Sequence, residues 1–574
     1  MKHFLFYSLI FISLTLQGQS NVALTSPLAV TYITGDYDPT NLNISGLREN
    51  KTTIIQAIND EINSDSLKSY IIEMSEFNTR HSASDTVSNS EGIGAARRWA
   101  FSKFEEFSIA SNNRLATSYL QFDQDICGVG QHRNILAVLP GNNSSYKDIV
   151  LVEAHFDSKC ETRCDANCVA QGVEDNATGS ALVLELARVM SKCVLDRTVV
   201  FMLTIGEEQG LYGAAAFVKY AQDKNIEIRS VLNNDVVGSV VCGKTASQPG
   251  CNGENEVDST QFRIFSSGNF NSAHKQFARY SKLQYYQELK PNAIVPMDIT
   301  IMSAEDRTGR GGDHIPFRKN GYTAVRFTAA NEHGNASVGV GYTDRQHTSR
   351  DILGVDTDNN GSIDSFFIDF NYLARNTQIN GISIFGASTS LPTPSAEFFL
   401  KWGNNVVVTL KDEKIAPYYA FAYRSNSNDW DSIVVLKGAK SMDVWVPADE
   451  YLSVSIAALN DEGLESLFSE EARFLPLSTN SIDPKKKLEL FSNYPNPSDE
   501  ATTISVFIKE SIFYSSASIV IKDALGKVIE TIPVSLGLGM NEVNYHHGYN
   551  ASGVYFFSLI MDGKLVKTNK MVFE

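Results

Sequence analysis

Two histidines and a group of carboxylates recur along the middle of the chain where a metal could gather them. His155 and Asp157 stand two apart, and Asp175 lies within Glu174-Asp175-Asn176. Glu207 and Glu208 are adjacent, Asp235 follows Asn234, and His347 leads Thr348-Ser349-Arg350-Asp351. Imidazole nitrogen and carboxylate oxygen are donors that zinc takes. A lone histidine after a strand is ordinarily a satisfied structural residue, and an acidic loop is ordinarily just solvated. Several such groups in similar contexts instead predict a metal centre, and the carboxylate-rich set suits paired metals that share one carboxylate. If the backbone at Glu207 and Glu208 is extended, their side chains point opposite ways. One then binds metal while the other faces the substrate and accepts a proton from metal-bound water. Asp157, on the same face of an extended chain as His155, is placed to hold that imidazole from behind.

These residues need elements that bring them together. Short apolar runs at Ile135 to Leu139, Ile149 to Ala154, Val199 to Ile205, Val231 to Val237 and Ala324 to Phe327 read as buried strands. Ser180 to Ser191 and Leu211 to Gln222 read as helices between them, and Ile54 to Ile62, Leu67 to Phe77 and Gly92 to Phe107 as helices before them. The expected fold class is therefore α/β, a mainly parallel sheet with helices on both faces, followed by two small all-β sandwich domains. In open α/β sheets, sites form beyond the carboxyl ends of strands. The candidate ligands fall at such ends or in loops, so distance in sequence does not keep them apart.

The motifs His155-x-Asp157-Ser158, Glu174-Asp175-Asn176-x-Thr178-Gly179, Glu207-Glu208-x-Gly210-Leu211-x-Gly213, Asn234-Asp235-x-Val237-Gly238 and His347-Thr348-x-x-Asp351 occur in that order. Together they resemble the co-catalytic di-zinc aminopeptidases, a family of secreted bacterial exopeptidases. The likeness runs from about Asp65 to Ser388 and takes in Thr79-Arg80-His81-Ser82 and Gly312-Asp313-His314-Ile315-Pro316-Phe317. The resemblance implies the zinc exopeptidase fold and two Zn2+ per chain. It implies that Asp175 bridges the metals, with His155 and Asp235 on one and Glu208 and His347 on the other. Glu207 is then the general base acting on a metal-bridging water, and the peptide after Asp175 is cis. One departure is Gln346, where several relatives carry a tyrosine that stabilises the oxyanion. Gln346 can still donate a hydrogen bond, and Tyr342 is the other candidate for that role.

The ends of the chain place it outside the cytoplasm. Lys2 and His3, the apolar run Phe4 to Leu16, and Gly18-Gln19-Ser20 read as a secretory signal peptide over residues 1–20. Residues 21–64 are expected to be an N-terminal arm or propeptide, and 65–388 the peptidase domain. Leu391-Pro392-Thr393-Pro394-Ser395 reads as a linker. Beyond it the pattern alternates with period two, and residues 395–478 resemble a fibronectin type III domain through Trp402 and the alternation Leu452, Val454, Ile456. After Asp483-Pro484-Lys485-Lys486-Lys487, residues 484–574 resemble the C-terminal sorting domain of type IX secretion. The carriers are Asn493-Tyr494-Pro495-Asn496-Pro497, Asp523-Ala524-Leu525-Gly526-Lys527-Val528 and Gly553-Val554-Tyr555-Phe556-Phe557. Type IX secretion machinery is accordingly an expected partner, and the product is expected to be secreted or attached to the cell surface.

The seven cysteines are odd in number, so in an oxidising compartment at least one thiol is left over. Cys242 and Cys251 are the easiest pair to propose. Cys160, Cys164 and Cys168, four apart, match either a metal or iron–sulfur site or a disulfide-bearing rim loop, and export favours the loop. Asp356-Thr357-Asp358-Asn359-Asn360-Gly361 resembles the opening of an EF-hand and marks Asp356, Asp358 and Asn360 as candidate Ca2+ ligands. The acidic residue expected at the twelfth position is Phe367, and such runs also make plain turns. With 66 acidic against 49 basic residues the net charge is -17, which argues against a general nucleic-acid partner. No later stretch has the roughly 18 apolar residues of a transmembrane span.

The expected function is that of a secreted zinc aminopeptidase acting on peptide or protein substrates with a free N-terminus. Three alternatives stand beside it: glutaminyl cyclase with one zinc, a carboxypeptidase on the same scaffold, and a surface binding protein with a dead hydrolase domain.

Overall fold

A computed structural model describes residues 19–574 except 244–249, 270, 308–309, 333–344, 402–404, 426, 447–451, 475–487, 499–500, 510–511, 513, 515, 548–551 and 574. The signal peptide (save Gln19 and Ser20), Trp402, Tyr342 and the Asp483 to Lys487 run lie outside the described residues.

Nine strands form one sheet: β1 (Ser20–Leu24), β2 (Ala116–Ile126), β3 (Val129–Leu139), β4 (Ile149–His155), β5 (Val199–Thr204), β6 (Ile228–Asn234), β7 (Gln261–Ser266), β8 (Asp298–Ile301) and β9 (Ala324–Ala329). Their order is β1-β2-β3-β5-β4-β6-β9-β7-β8. The β5-β4-β6-β9 run is parallel throughout. Strands β1, β2 and β3 add antiparallel at one side, and β7 pairs antiparallel with β9 at the other. The parallel sheet expected from the alternation of strands and helices is thus the centre of a mixed one. β2 and β3 meet across the short turn at Cys127 and Gly128, and so close tight connection makes neighbouring strands antiparallel.

The helices are α1 (Pro27–Thr34), α2 (Lys51–Glu61), α3 (Ser64–Ser75), α4 (Gly92–Ile109), α5 (Thr178–Met190), α6 (Tyr212–Asp223), α7 (Ala273–Glu288), α8 (His314–Lys319) and α9 (Phe370–Thr389). Strand side chains alternate between two apolar layers. Ile135, Ala137, Val150, Val152 and Phe201 pack with residues of α2 to α5, α7 and α9. Leu136, Val138, Leu151, Val200 and Met202 pack on the other face with residues of α1, α6 and α8. Residues 20–61 contribute β1, α1 and α2 to these layers, with Ala29, Ile33, Ile54 and Ile58 buried.

Past α9 the chain forms small sheets. Residues 396–474 make one of three strands and one of four. In the second, Leu452–Leu459 is buried along its whole length. Val454 and Ile456 face the core of that unit, while Ala457 and Leu459 join the α-helical layer of the large sheet. Arg279 of α7 and Arg424 both donate to Glu471, with Arg279 Nη2 and Arg424 Nη2 each 2.6 Å from a Glu471 oxygen and all three side chains fully buried. Residues 488–573 form two further sheets around a separate core that includes Ile504, Ile519, Tyr545 and Phe557. No helix among the described residues is long and apolar enough to cross a membrane.

Candidate metal centre

The parallel centre of the sheet brings three ligand segments to one edge. His155 is the last residue of β4, Asp235 follows the end of β6, and Glu207 and Glu208 follow the end of β5. These strands are neighbours in the sheet, so their carboxyl ends open on the same crevice. Asp175 comes from Val173–Ala177, which leads into α5. The Asp175–Asn176 peptide is cis, as the family resemblance implies. The start of α5 lies against the end of β6: a Cβ at Gly179 would sit 2.4 Å from the Asn234 carbonyl oxygen and 2.5 Å from Asn176 Oδ1. Only glycine fits there.

The five candidate ligands converge into two triplets that share one residue. Asp175 Oδ1 is 3.0 Å from His155 Nε2, which is 3.4 Å from Asp235 Oδ1. Asp175 Oδ2 is 3.1 Å from His347 Nε2, which is 3.2 Å from Glu208 Oε2. Donor atoms held about 2.0–2.2 Å from a tetrahedral zinc lie roughly 3.3 Å from each other, so this spacing fits the ion. Glu208 Oε1 and Asp235 Oδ1 are buried and have no hydrogen-bond partner, which also suits a cation between the triplets. His155 Nδ1 donates to the backbone carbonyl of Asp157 at 3.0 Å. That bond fixes the tautomer and leaves the Nε2 lone pair facing the carboxylates.

Asp157 differs from its expected placement. Its carboxylate is 3.8 Å from His155 Nδ1, too far for a hydrogen bond. It accepts instead from the backbone N–H of Glu207 at 3.2 Å, of Glu208 at 3.3 Å and from the Ser82 hydroxyl at 3.1 Å. The turn after β5 points both N–H groups at Asp157, and the imidazole takes the nearer backbone carbonyl.

Several residues support the centre without being candidate ligands. Asp351 accepts the N–H of Glu174 at 2.9 Å and of Asp175 at 3.0 Å, one on each oxygen. Buried Arg80 donates to the carbonyls of Phe156, Gln171 and Gly172 and so staples the His155 and Asp175 segments together. Arg326 of β9 donates to Asp235 at 3.0 Å, to Asp306 at 3.2 Å and to Glu332 at 2.6 Å. Lys159 Nζ lies 3.1 Å from Glu208, and Arg310 Nη1 lies 2.8 Å from His347 Nδ1. The pairing Glu174-Asp175 with Asp351 is within the quoted motifs. Arg326 is hidden because Ala324 to Phe327 reads only as a buried strand, with no motif that marks its arginine.

The electrostatics divide the carboxyls. Burial raises the Glu207 carboxyl well above its ordinary range, with His155 opposing and Glu208 and Asp235 adding. Burial also acts on Glu208, but His347 and Lys159 outweigh it and hold that carboxyl low. Asp175 and Asp235 are likewise held down against burial, the first by His155 and His347 and the second chiefly by Arg326. Adjacent glutamates thus differ in proton affinity, the pattern of an acid–base group beside a ligand. Beneath them Asp313, which accepts from the Thr204 hydroxyl, is raised by burial to about 7.

Gln346 is buried next to His347. Cys160 pairs with Cys168, Cys127 with Cys164 and Cys242 with Cys251, leaving Cys193 as a buried thiol. The Cys160–Cys168 loop is therefore cross-linked rather than open to a cluster. Asp356 and Asp358 accept backbone N–H groups of Asn360 and Gly361, and Asn360 donates to Asp358, as in a plain Asx-rich turn.

Residues 134–369 match the model of Peptidase family M28, and residues 492–574 match that of the secretion system C-terminal sorting domain. A probable zinc metalloprotease of Leptosphaeria maculans is 28% identical over 352 residues, which cover 59% of this chain and 78% of that protein. One of Pyrenophora teres f. teres is 26% identical over 382 residues, covering 63% of this chain and 75% of its own. Among solved structures, the Legionella pneumophila LapA aminopeptidase is similar over 60% of this chain and 76% of its own, at 17% identity and a TM-score of 0.43.

Proposed function

The chain belongs to peptidase family M28 and carries a type IX secretion sorting domain over residues 492–574, and from that premise we propose that it is an aminopeptidase with two zinc ions. Its family makes it a zinc metallopeptidase, and its sorting domain sends it to the cell surface or the exterior. The observation that carries the finer reading is the division of Asp175 between two donor triplets, one oxygen to each.

In this reading His155, Asp175 and Asp235 hold one ion, and Glu208, Asp175 and His347 the other. Zinc bound there supplies a water of lowered pKa, polarisation of the scissile carbonyl and an anchor for the free amine. Glu207 takes the proton of the attacking water and delivers it to the leaving nitrogen. Its raised proton affinity suits both halves of that transfer. Asp157 positions Glu207 and Glu208 through their backbone N–H groups, so that one side chain faces a ligand site and the other the crevice. Buried Gln346 is the candidate donor to the oxyanion. Residues 65–388 form the peptidase domain, with 21–64 a structural arm because α1 and α2 complete its layers; residues 395–478 are the fibronectin-like unit and 484–574 the sorting unit.

The test is release of chromophore from a panel of aminoacyl-nitroanilides, before and after chelation and zinc restoration. Zinc-dependent hydrolysis of free-amine substrates with N-blocked ones untouched is the expected result. Hydrolysis of N-blocked peptides from the carboxyl end, or cyclisation of N-terminal glutamine without hydrolysis, would replace the aminopeptidase reading.

A further inference from the structure

The two β units meet the peptidase in contrasting ways. The unit of residues 396–474 is cemented on: Glu471 lies buried between Arg279 and Arg424, Gln276 donates to the Ser469 carbonyl at 2.8 Å, and Tyr280 donates to that of Glu465 at 3.0 Å. Its apolar face continues the peptidase core through Ala457, Leu459 and Phe468. The C-terminal unit keeps a core of its own. Glu530, Thr531 and Pro533 line an open cleft of about 930 Å³ together with Arg318 and Lys319 of the peptidase and with Leu467, Phe468 and Glu470 of the first unit. Among the described residues this unit shares no buried apolar cluster with the peptidase, so its contact lacks the apolar continuity of the first.

Strand Gly539–His546 of that unit nevertheless reaches the rim of the metal centre. Asn544 Nδ2 donates to the Asp306 carbonyl at 2.6 Å, and His546 Nε2 donates to the Arg310 carbonyl at 2.6 Å. Both acceptors belong to residues whose side chains act on the site. Asp306 lies 3.2 Å from Arg326, the partner of Asp235. Arg310 Nη1 lies 2.8 Å from Nδ1 and 3.1 Å from Nε2 of His347. A neutral imidazole has one lone pair, and a guanidinium that donates to it occupies what a metal requires. Glu208 and Asp175 hold His347 Nε2 in the ligand triplet, so Arg310 and a metal compete at that ring.

We propose that the C-terminal unit is a brake on the peptidase: its strand Gly539–His546 pins Arg310 onto His347, and zinc uptake and turnover rise when the contact lets go. This rests on His347 being a metal ligand. The unit's separate core makes the brake releasable, and the C-terminal unit is the part of the chain addressed to the export machinery. An exopeptidase restrained until that unit disengages would be spared from acting before export.

Zinc affinity of the full chain, read by competition with a chelating dye, tests the proposal without any substrate. Loss of the charge-assisted hydrogen bond to His347 should tighten zinc binding about tenfold or more in Arg310→Met. The pair Asn544→Ala with His546→Ala, which keeps Arg310 but removes both contacts made by the C-terminal strand, should tighten it in the same direction. His546→Gln alone retains an N–H donor and should match the wild type. Tightening by Arg310→Met without tightening by the double variant would overturn the proposal, since Arg310 would then act without the C-terminal unit. Unchanged or weaker affinity in both would overturn it too, as would His546→Gln behaving like the double variant. If zinc responds as expected while every form leaves aminoacyl-nitroanilides intact, the aminopeptidase reading fails and the brake stands.

Discussion

Arg326 donates from Nε to Asp235 Oδ2 at 3.0 Å, with both side chains buried. The same guanidinium binds Glu332 and Asp306, and Arg307 pairs with both of these as well, so a buried network of two cations and two carboxylates backs a single candidate ligand. Asp235 keeps its charge because Arg326 and His155 overcome the effect of burial. The orientation of Asp235 towards His155 is therefore set from outside the ligand shell.

Arg326→Met should lower zinc affinity about 10- to 100-fold, the usual effect of removing a partner that orients a ligand. It should also lower the thermal midpoint, because Glu332 and Asp306 lose one of their two buried counter-charges and keep only Arg307. Zinc titration of the folded variant checks the first effect and a melting curve the second. Wild-type zinc affinity in a folded Arg326→Met protein would show that Asp235 needs no such support.

Asp351→Asn tests the support of the bridging residue. The carboxylate takes two N–H groups, from Glu174 and Asp175, on separate oxygens. Asparagine offers one acceptor oxygen and turns an NH2 group towards the other N–H. The unsatisfied donor costs about 1–3 kcal/mol, and zinc should be lost more readily to a chelator than from wild type. Equal chelation rates and melting would remove Asp351 from the account.

How much of this is visible in the sequence depends on the kind of residue. The convergence of the candidate ligands His155, Asp175, Glu208, Asp235 and His347 is legible because ligand chemistry restricts residue type, and because apolar strand runs lead to His155, Glu208 and Asp235. Helix α9 is not legible. Its buried face includes Thr377, Asn380 and Ser383, which a pattern reading assigns to solvent. Thr377 and Ser383 donate back to the carbonyls four residues earlier at 2.8 Å each, and Asn380 does so at 3.2 Å. Those bonds satisfy the polar groups inside the helix and let it pack without an apolar stripe. Helix α7 is hidden for a related reason: Lys275, Gln276 and Arg279 read as a wet surface but face other parts of the chain. Strands β7 and β8 are short and lie at the sheet margin, where the alternation is weakest. The displacement of Asp157 from His155 to the Glu207-Glu208 turn depends on backbone geometry that spacing alone does not encode.

The seam between the large-sheet domain and the unit of residues 396–474 should make stability depend on pH. Glu465 accepts from Gln284 at 3.1 Å and Gln287 at 3.3 Å, and burial raises its carboxyl from 4.5 to about 7. Below pH ~4.5 it is protonated in folded and unfolded chains alike and has no pH-dependent cost. Between about 4.5 and 7 only the unfolded chain ionises, so stability falls as pH rises, and the loss is complete once the folded carboxyl ionises too. Glu465→Gln imitates the protonated form and should flatten that slope, gaining about 2–3 kcal/mol over wild type at pH 8 relative to pH 4.5. Denaturant midpoints at the two pH values check it; parallel curves for the two proteins would contradict the assignment.

The most direct test of the central claim is to count zinc and turnover together in Glu207→Gln. If Glu207 is the proton-transfer group and His155, Asp175, Glu208, Asp235 and His347 are the ligands, the variant should bind wild-type zinc, two ions per chain, and hydrolyse aminoacyl-nitroanilides at least about a hundredfold more slowly. Turnover equal to wild type with zinc in place would contradict the role of Glu207, and loss of zinc along with activity would make Glu207 a ligand.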